Sequence, residues 1–339
     1  MPGDGKKGIG DYIVSVLNGM AQGLFSSLII GLIIKQIGTY AGIEWLSTFG
    51  GVAQALTCPA IGIGVANALG VKGLALFASA TAGAIGGGAI KIAESVTISS
   101  GEPLGACIAA LAAAIAGKFV TGRTKADIIV VPFVTIISGG IVGLLVSPIV
   151  STLMTALGAF INHLTTLYPL PMGILVSVVV GMVLTLPISS AAICISLGLS
   201  GLAAGAACAG CAAQMIGFAF MSYKENGVGG LISQGLGTSM LQIPNIWRNW
   251  KIWIPPTLAS AITGPISTCI FKMTNNAAGA GMGTSGLVGQ FNAVATMGAG
   301  CIPELLLVHL ILPAILTVFI AIPMRKAGWI KDGDLTLPV

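Results

Sequence analysis

The sequence predicts an all-α integral membrane protein of about ten transmembrane helices, with two re-entrant hairpins and one amphipathic helix at the interface. Three observations carry that reading. Of 339 residues, 55% are hydrophobic and 7% charged, and the mean hydropathy is +0.99, which leaves too little polar surface to clothe a soluble globule. A hydrocarbon core about 30 Å thick asks for about 20 apolar residues per helix, so the chain has room for roughly eight to ten crossings. Between the apolar runs lie two glycine-rich segments, 227–246 and 275–297, that also carry Asn, Gln, Ser and Thr. They are too polar to face lipid and too apolar for a solvated loop, and irregular backbone at membrane depth survives only inside protein or beside a water-filled cavity. The net charge of +5 includes no basic block long enough for nucleic acid, so the bilayer and a small solute are the expected partners.

Taken in order, Met1–Asp11 is polar and carries Lys6 and Lys7, which places the amino terminus on the cytoplasmic side. The run Tyr12–Ile34 is too long for a removable signal, lacks a small-residue cleavage site, and reads as a retained first helix. Leu46–Leu69 is interrupted by Pro59 and several glycines, which predicts a discontinuous second helix. Leu74–Ile90 and Leu104–Val120 are dense in Ala and Gly, as suits helices that approach closely in lipid. Lys118, Arg123, Lys125 and Asp127 make the most charged internal loop, cytoplasmic after four crossings. Ile128–Val150 is a fifth span, and Ser151–Leu167 mixes apolar residues with Thr, Asn162 and His163 as an interfacial helix does. Met172–Leu186 runs to Pro187, and Ala191–Tyr223 holds one or two further Ala/Gly-rich elements. After the first polar segment, Trp247, Trp250 and Trp253 with Arg248 and Lys251 read as an interfacial belt before Ile254–Phe271. The second polar segment leads to a last span, Ile302–Met324, and a basic cytoplasmic tail with Arg325, Lys326 and Lys331.

The seven cysteines sit mostly in apolar runs as small buried hydrophobes. Cys208-Ala-Gly-Cys211 has metal or redox spacing but no second pair or nearby histidine, so neither a metal nor another cofactor is expected. Gly86-Gly87-Gly88 follows no strand pattern and is no dinucleotide fingerprint. The absence of a convergent set of carboxylates and histidines argues against a membrane enzyme.

Two interrupted segments in one half of the chain point to a solute site near the midplane. Gln242, Asn275 and Asn276 are its leading candidates, with Thr238, Ser239, Thr284 and Ser285 beside them. A buried amide without partners costs about 1–3 kcal/mol, so these amides either bind a solute or bond one another to hold the segments. Thr284 and Ser285 suit equally a donor to solute hydroxyls and the cap of a short helix. Glu102 in Ser-Gly-Glu-Pro and Glu304 after Pro303 read first as helix-start carboxylates favoured by the backbone dipole, and second as solute contacts. His309 lies five residues beyond Glu304, off the stacking intervals of three and four, so a core histidine bonded to a neighbouring helix stands against a proton relay.

The run VVPFVTIISGGIVGLLVSPIVSTLMTALGAFINHL, residues 130–164, resembles the fifth span and amphipathic helix of the fructose-type membrane subunit (IIC, or EIIC) of bacterial sugar phosphotransferase systems. The order of features along nearly the whole chain is similar to that fructose-like and glucose superfamily. NNAAGAGMGTSGLVGQ, residues 275–290, resembles its divergent type-two IIC branch, which includes regulators named for perfringolysin expression. The resemblance implies a homodimer in the bacterial inner membrane that holds one sugar or polyol between its hairpins. Residues 1–150 would be a five-helix dimerisation scaffold, 151–168 the interfacial helix, 169–326 a transport half moving as a rigid body in an elevator, and 327–339 a cytoplasmic tail. Phosphotransfer would reside on separate IIA and IIB proteins, since almost all of this chain is membrane. Gln242 falls near the family's acidic, hydroxyl-gripping position, and Gly283-Thr284-Ser285-Gly286 falls where the family has a histidine-glycine element. Pro187-Ile188-Ser189-Ser190 stands where it has Asn-Lys after a proline, which adds Ser189 to the candidates. An amide keeps a donor and an acceptor but loses the charge-assisted acceptor. The alternative function is a sugar-sensing membrane regulator, or a carrier uncoupled from phosphorylation.

Overall fold

The structure is a computed structural model that describes residues 9–92 and 95–337. Lys6 and Lys7, on which the orientation of the amino terminus rests, lie outside the described residues, as do the last two residues of the tail. Among the described residues the fold is all-α apart from one short antiparallel pair of strands, as the composition predicts. The chain divides into two compact units, Met1–Thr152 and Leu153–Val339.

In the first unit, α1 (Ile9–Ala41) is continuous through a π turn at Phe25–Ile29 and ends where Gly42 turns left-handed at φ 69°, with Ile43 N–H donating to the Gly38 carbonyl at 2.8 Å. The next apolar run is two helices, α2 (Glu44–Ala55) and α3 (Thr57–Ala68), bent by 51° at Leu56. Pro59 explains the break. It has no N–H to give the Ala55 carbonyl and its ring would strike that oxygen, whereas in the first turn of a new helix neither matters. Gly19 of α1 faces Gly64 of α3 so closely that a Cβ on either would overlap the other's carbonyl oxygen, the small-residue contact expected of helices in lipid. After α4 (Leu74–Gly86), strands β1 (Ile90–Ile92) and β2 (Val96–Ile98) pair antiparallel with Lys91 opposite Thr97. Their Ile-Lys-Ile and Val-Thr-Ile runs are a β-branched pattern that an all-helical reading passes over. Helix α5 (Pro103–Val120) opens on Pro103 with Glu102 at its cap position.

Helix α6 (Asp127–Leu164) runs unbroken through the point where the sequence reading divides a span from an interfacial helix. At 38 residues it is about 57 Å long, so nearly half of it lies beyond a core of about 30 Å.

The second unit is built around α9 (Gly201–Met221), which is buried along almost its whole length and packs against α7 (Pro169–Thr185), α12 (Ile254–Pro265) and the last helix, α15 (Ala299–Lys326). Between Ala203 and Ala213 it carries only Ala, Gly and Cys, which is why three helices fit around it. Ser177 Oγ of α7 donates to the Ser260 carbonyl at 2.8 Å, and Ser260 Oγ of α12 donates to the Gly210 carbonyl at 3.1 Å. Short α8 (Ser190–Ser196) opens on Ser189, whose Oγ accepts from Ala192 N–H at 3.3 Å as an N-cap.

Both polar segments have broken backbone. The first runs from α10 (Tyr223–Ile232), kinked at Gly227, through a π turn at Ser233–Gly237, a 3₁₀ turn at Ser239–Gln242, α11 (Ile243–Arg248) and a second 3₁₀ turn at Trp250–Trp253. The second leaves α12 through a π turn at Ile266–Ile270 and passes α13 (Ala277–Ala280), left-handed Gly283 and Gly286, and α14 (Val288–Met297). Among the described residues five helices are long and apolar enough to cross a membrane, or six if α2 and α3 form one span. The apolar α4 and α7 have only 13 and 17 residues, so they fall short of the crossing length used to expect about ten.

Candidate functional site

The two polar segments meet. Thr284 Oγ1 donates to the Gly235 carbonyl at 2.5 Å and Ser285 Oγ to the Gly237 carbonyl at 2.7 Å, so two hydroxyls of the second segment close on the π turn of the first. Gly283 lets the second segment lie against α9: its φ is +52°, and a Cβ there would stand 2.7 Å from the backbone of Cys211 and of Ala212. Gly283→Ala is expected to cost about 2–4 kcal/mol from the left-handed conformation and the overlap together, read as a fall of roughly 5–10 °C in the melting temperature of the purified protein. An unchanged melting temperature would mean that the second segment is not held against α9.

Seven residues singled out from the sequence, Gln242, Asn275, Asn276, Thr238, Ser239, Thr284 and Ser285, have hydrogen-bond partners within this unit. Gln242, fully buried, donates from Nε2 to Gln234 Oε1 at 2.8 Å and to the Leu335 carbonyl at 3.0 Å, while its Oε1 accepts from Asn245 Nδ2 at 2.8 Å. Asn275 donates to the Gly289 carbonyl at 2.9 Å and accepts from Asn276 N–H. Asn276 caps α13 by accepting from Ala278 and Gly279 N–H, and donates to Asn292 Oδ1 at 2.9 Å. Thr238 caps the 3₁₀ turn through Met240 N–H, and Ser239 Oγ lies 2.7 Å from Thr185 Oγ1 of α7. Glu102 belongs to the first unit, at the head of α5, and Glu304 lies in the first turn after Pro303.

His309 is buried in a π turn, Leu307–Ile311, just before Pro313, whose missing N–H leaves the His309 carbonyl without its usual helical donor. Its Nδ1 lies 3.0 Å from Gln290 Nε2 and 4.0 Å from Cys208 Sγ, while its Nε2 and Gln290 Oε1 are buried without hydrogen-bond partners. Glu304 and His309 share no hydrogen bond or ion pair.

Four side chains of the site stand outside the candidates drawn from sequence: Gln214, Gln234, Asn245 and Gln290. Gln214 is the one amide in the Ala/Gly/Cys-rich α9, and that isolation was its signal. It accepts from Trp253 Nε1 at 3.0 Å and from Thr185 Oγ1 at 3.4 Å, and donates to Thr257 Oγ1 at 3.2 Å. Trp253 thus turns its indole N–H inward, unlike the interfacial anchor the sequence suggests, while Trp247 and Trp250 are exposed. At the edge of the site Arg325 bonds Glu225 Oε1 at 2.9 Å and Asp332 Oδ1 at 3.3 Å, and Lys224 bonds Asp332 Oδ2 at 2.9 Å. The hydrogen bond and then the charge of Lys224 hold the Asp332 carboxyl below its ordinary range. The stabilisation from this pair is therefore present above about pH 4 and is lost as the pH falls through the lowered value. Among the described residues no group of three or more His, Cys, Asp or Glu side chains is placed to hold a metal.

An all-α unit wrapped round a buried small-residue helix, with two irregular polar segments joined inside it, defines a multi-pass membrane protein with polar groups gathered inside an apolar frame. The family model described as "Phosphotransferase system, EIIC" matches residues 14–337, and the chain belongs to that family. It is thus a sugar-transport permease subunit of the membrane, in bacteria the inner membrane, working with separate IIA and IIB proteins. No curated protein and no solved structure matches the chain.

Proposed function

We propose that residues 169–326 are the transport half, that 227–246 and 275–297 act as its two hairpins, and that one sugar or polyol is held where they meet. The observation that carries this is the pair of bonds from Thr284 and Ser285 to the Gly235 and Gly237 carbonyls. A hydroxyl bonded to a carbonyl is the same chemistry a sugar hydroxyl offers, so solute can replace these bonds one for one with little net cost. Thr238 and Ser239 follow directly on the Gly235–Gly237 turn, while Gln242 lies towards the C-terminal end of α9, beside Gln234, and Asn275 and Asn276 towards its N-terminal end, beside Gly201, Gly289 and Asn292. Their amides and hydroxyls flank the junction on its two sides, and opening it exchanges internal partners for solute hydroxyls. Transport follows by elevator-type alternating access of this half, in a homodimer whose scaffold is residues 1–150 and whose two termini are cytoplasmic. The matched family supports a solute phosphorylated by separate partners.

A thermal-shift screen of the purified protein against sugars, polyols, sugar acids and sugar phosphates tests this, because a ligand of the folded state alone raises the melting temperature. The double variant Gln242→Ala, Asn276→Ala is expected to weaken the best hit at least tenfold, about 1.4 kcal/mol, while remaining folded. Unchanged affinity in a folded variant would remove these residues from the site.

A further inference from the structure

The segment after α15 lies along the first polar segment and is held there by amides. Asn249 Nδ2 donates to the Trp329 carbonyl at 2.9 Å, Asn226 Nδ2 and Gln242 Nε2 to the Leu335 carbonyl at 2.8 and 3.0 Å, and Asn245 Nδ2 to the Thr336 carbonyl at 2.9 Å. Asn226 Oδ1 accepts the Leu337 N–H at 2.8 Å. These contacts read main chain, while Asn249 Nδ2 also reaches the Asp334 carboxylate at 2.8 Å and Lys251 Nζ lies 5.4 Å from the centre of the Trp329 ring. Two apolar side chains of the segment are buried anchors: Ile330 and Leu335, 2% and 0% exposed. Outside them lies a rim of charge. Asp332 bonds Lys224 and Arg325, and Lys224 and Asp332 are 71% and 74% exposed, so solvent screens that pair strongly.

Gln242 has two amide hydrogens, one on Gln234 and the other on Leu335. While the segment is seated, none is left for a solute hydroxyl. We propose that residues 327–337 are a displaceable latch on the first polar segment, filling a groove that reads main chain, and that release of the latch frees Gln242 and Asn245. The latch competes with the solute for Gln242, a consequence that rests on the proposed role of Gln242 as a solute contact.

Hydrogen exchange of the full-length protein in micelles, followed by mass spectrometry, tests the latch without any solute. Asp332→Asn should speed exchange of 329–337 about fivefold, the scale a screened ion pair allows. Leu335→Ala, which empties a buried anchor, should speed it about a hundredfold. In both variants the amides of 233–249 should speed up with the segment, while α9 stays as slow as in the parent. If 329–337 exchanges as slowly as α9 in all three proteins, or speeds up while 233–249 does not, no latch exists. A second arm adds a sugar that raises the melting temperature of the parent protein. Faster exchange of 329–337 on binding supports competition at Gln242, and slower exchange overturns it. If no sugar in the panel stabilises the protein, the solute site fails, and the two variants alone decide for or against the latch.

Discussion

Gln214→Leu is expected to lower the stability of the second unit by about 2–4 kcal/mol although the two side chains have nearly the same shape. Gln214 is fully buried, and through Trp253, Thr185 and Thr257 it ties α9 to the turn at Trp250–Trp253, to α7 and to α12. Leucine would fill the space but leave the Trp253 N–H without its acceptor and the Thr257 hydroxyl without its amide donor. Trp253 and Thr257 are half-buried, so each group so abandoned costs about 1–2 kcal/mol. The measurement is the melting temperature by tryptophan fluorescence, with a fall of roughly 5–10 °C expected. Adding Trp253→Phe removes the stranded donor and should return part of the loss. If Gln214→Leu alone melts with the parent, the amide is a spectator and the helices are held by packing.

Arg325→Ala is expected to cost about 3 kcal/mol or somewhat more. The Glu225 side chain is only 6% exposed, its Oε1 is bonded to Arg325, and its Oε2 is buried without a partner, so deleting the guanidinium leaves a carboxylate in poor surroundings. Arg325 is itself 24% exposed, which places the expectation at the lower end of the range for buried pairs. Thermal melting of Arg325→Ala against Arg325→Met with Glu225→Leu separates the two contributions. The double variant should recover most of the loss, because an apolar pair of similar volume pays no desolvation. Failure to recover would show that the Arg325 bond to the Met221 carbonyl carries the effect.

The architecture was legible in the sequence to the extent that it follows from solvent. A chain so apolar has to satisfy its backbone internally, and the two polar, glycine-rich segments had to be irregular. Pro59 announced the bend between α2 and α3, and Ser-Gly-Glu-Pro announced the start of α5. The π turns were hidden because composition does not distinguish them from α-helix: Leu307–Ile311 reads as a plain apolar run, and only His309 and the nearby Pro313 hint at it. The candidate site was legible as a set of residue types but not as a set of bonds. Asn276 looks the same in sequence whether it meets a solute or the N–H groups of Ala278 and Gly279, because the partner is fixed by the fold. The amide contacts to residues 329–337 were invisible for the same reason, since they are made to main-chain carbonyls that every residue type possesses.

From Ala203 to Ala213 no side chain of α9 is longer than a cysteine's, yet the helix is enclosed on several sides. Helices usually lock by long knobs dropped into holes, and sliding one past another requires each knob to be lifted out. A rod studded only with methyl groups, hydrogens and thiols has shallow relief, so the backbones of its neighbours come right up to it, and the Ser260 bond to the Gly210 carbonyl and the bonds of Gln214 set the register that knobs would otherwise set. The unit is keyed by polar pins on a smooth shaft, and enlarging one of its alanines would wedge neighbouring backbones apart.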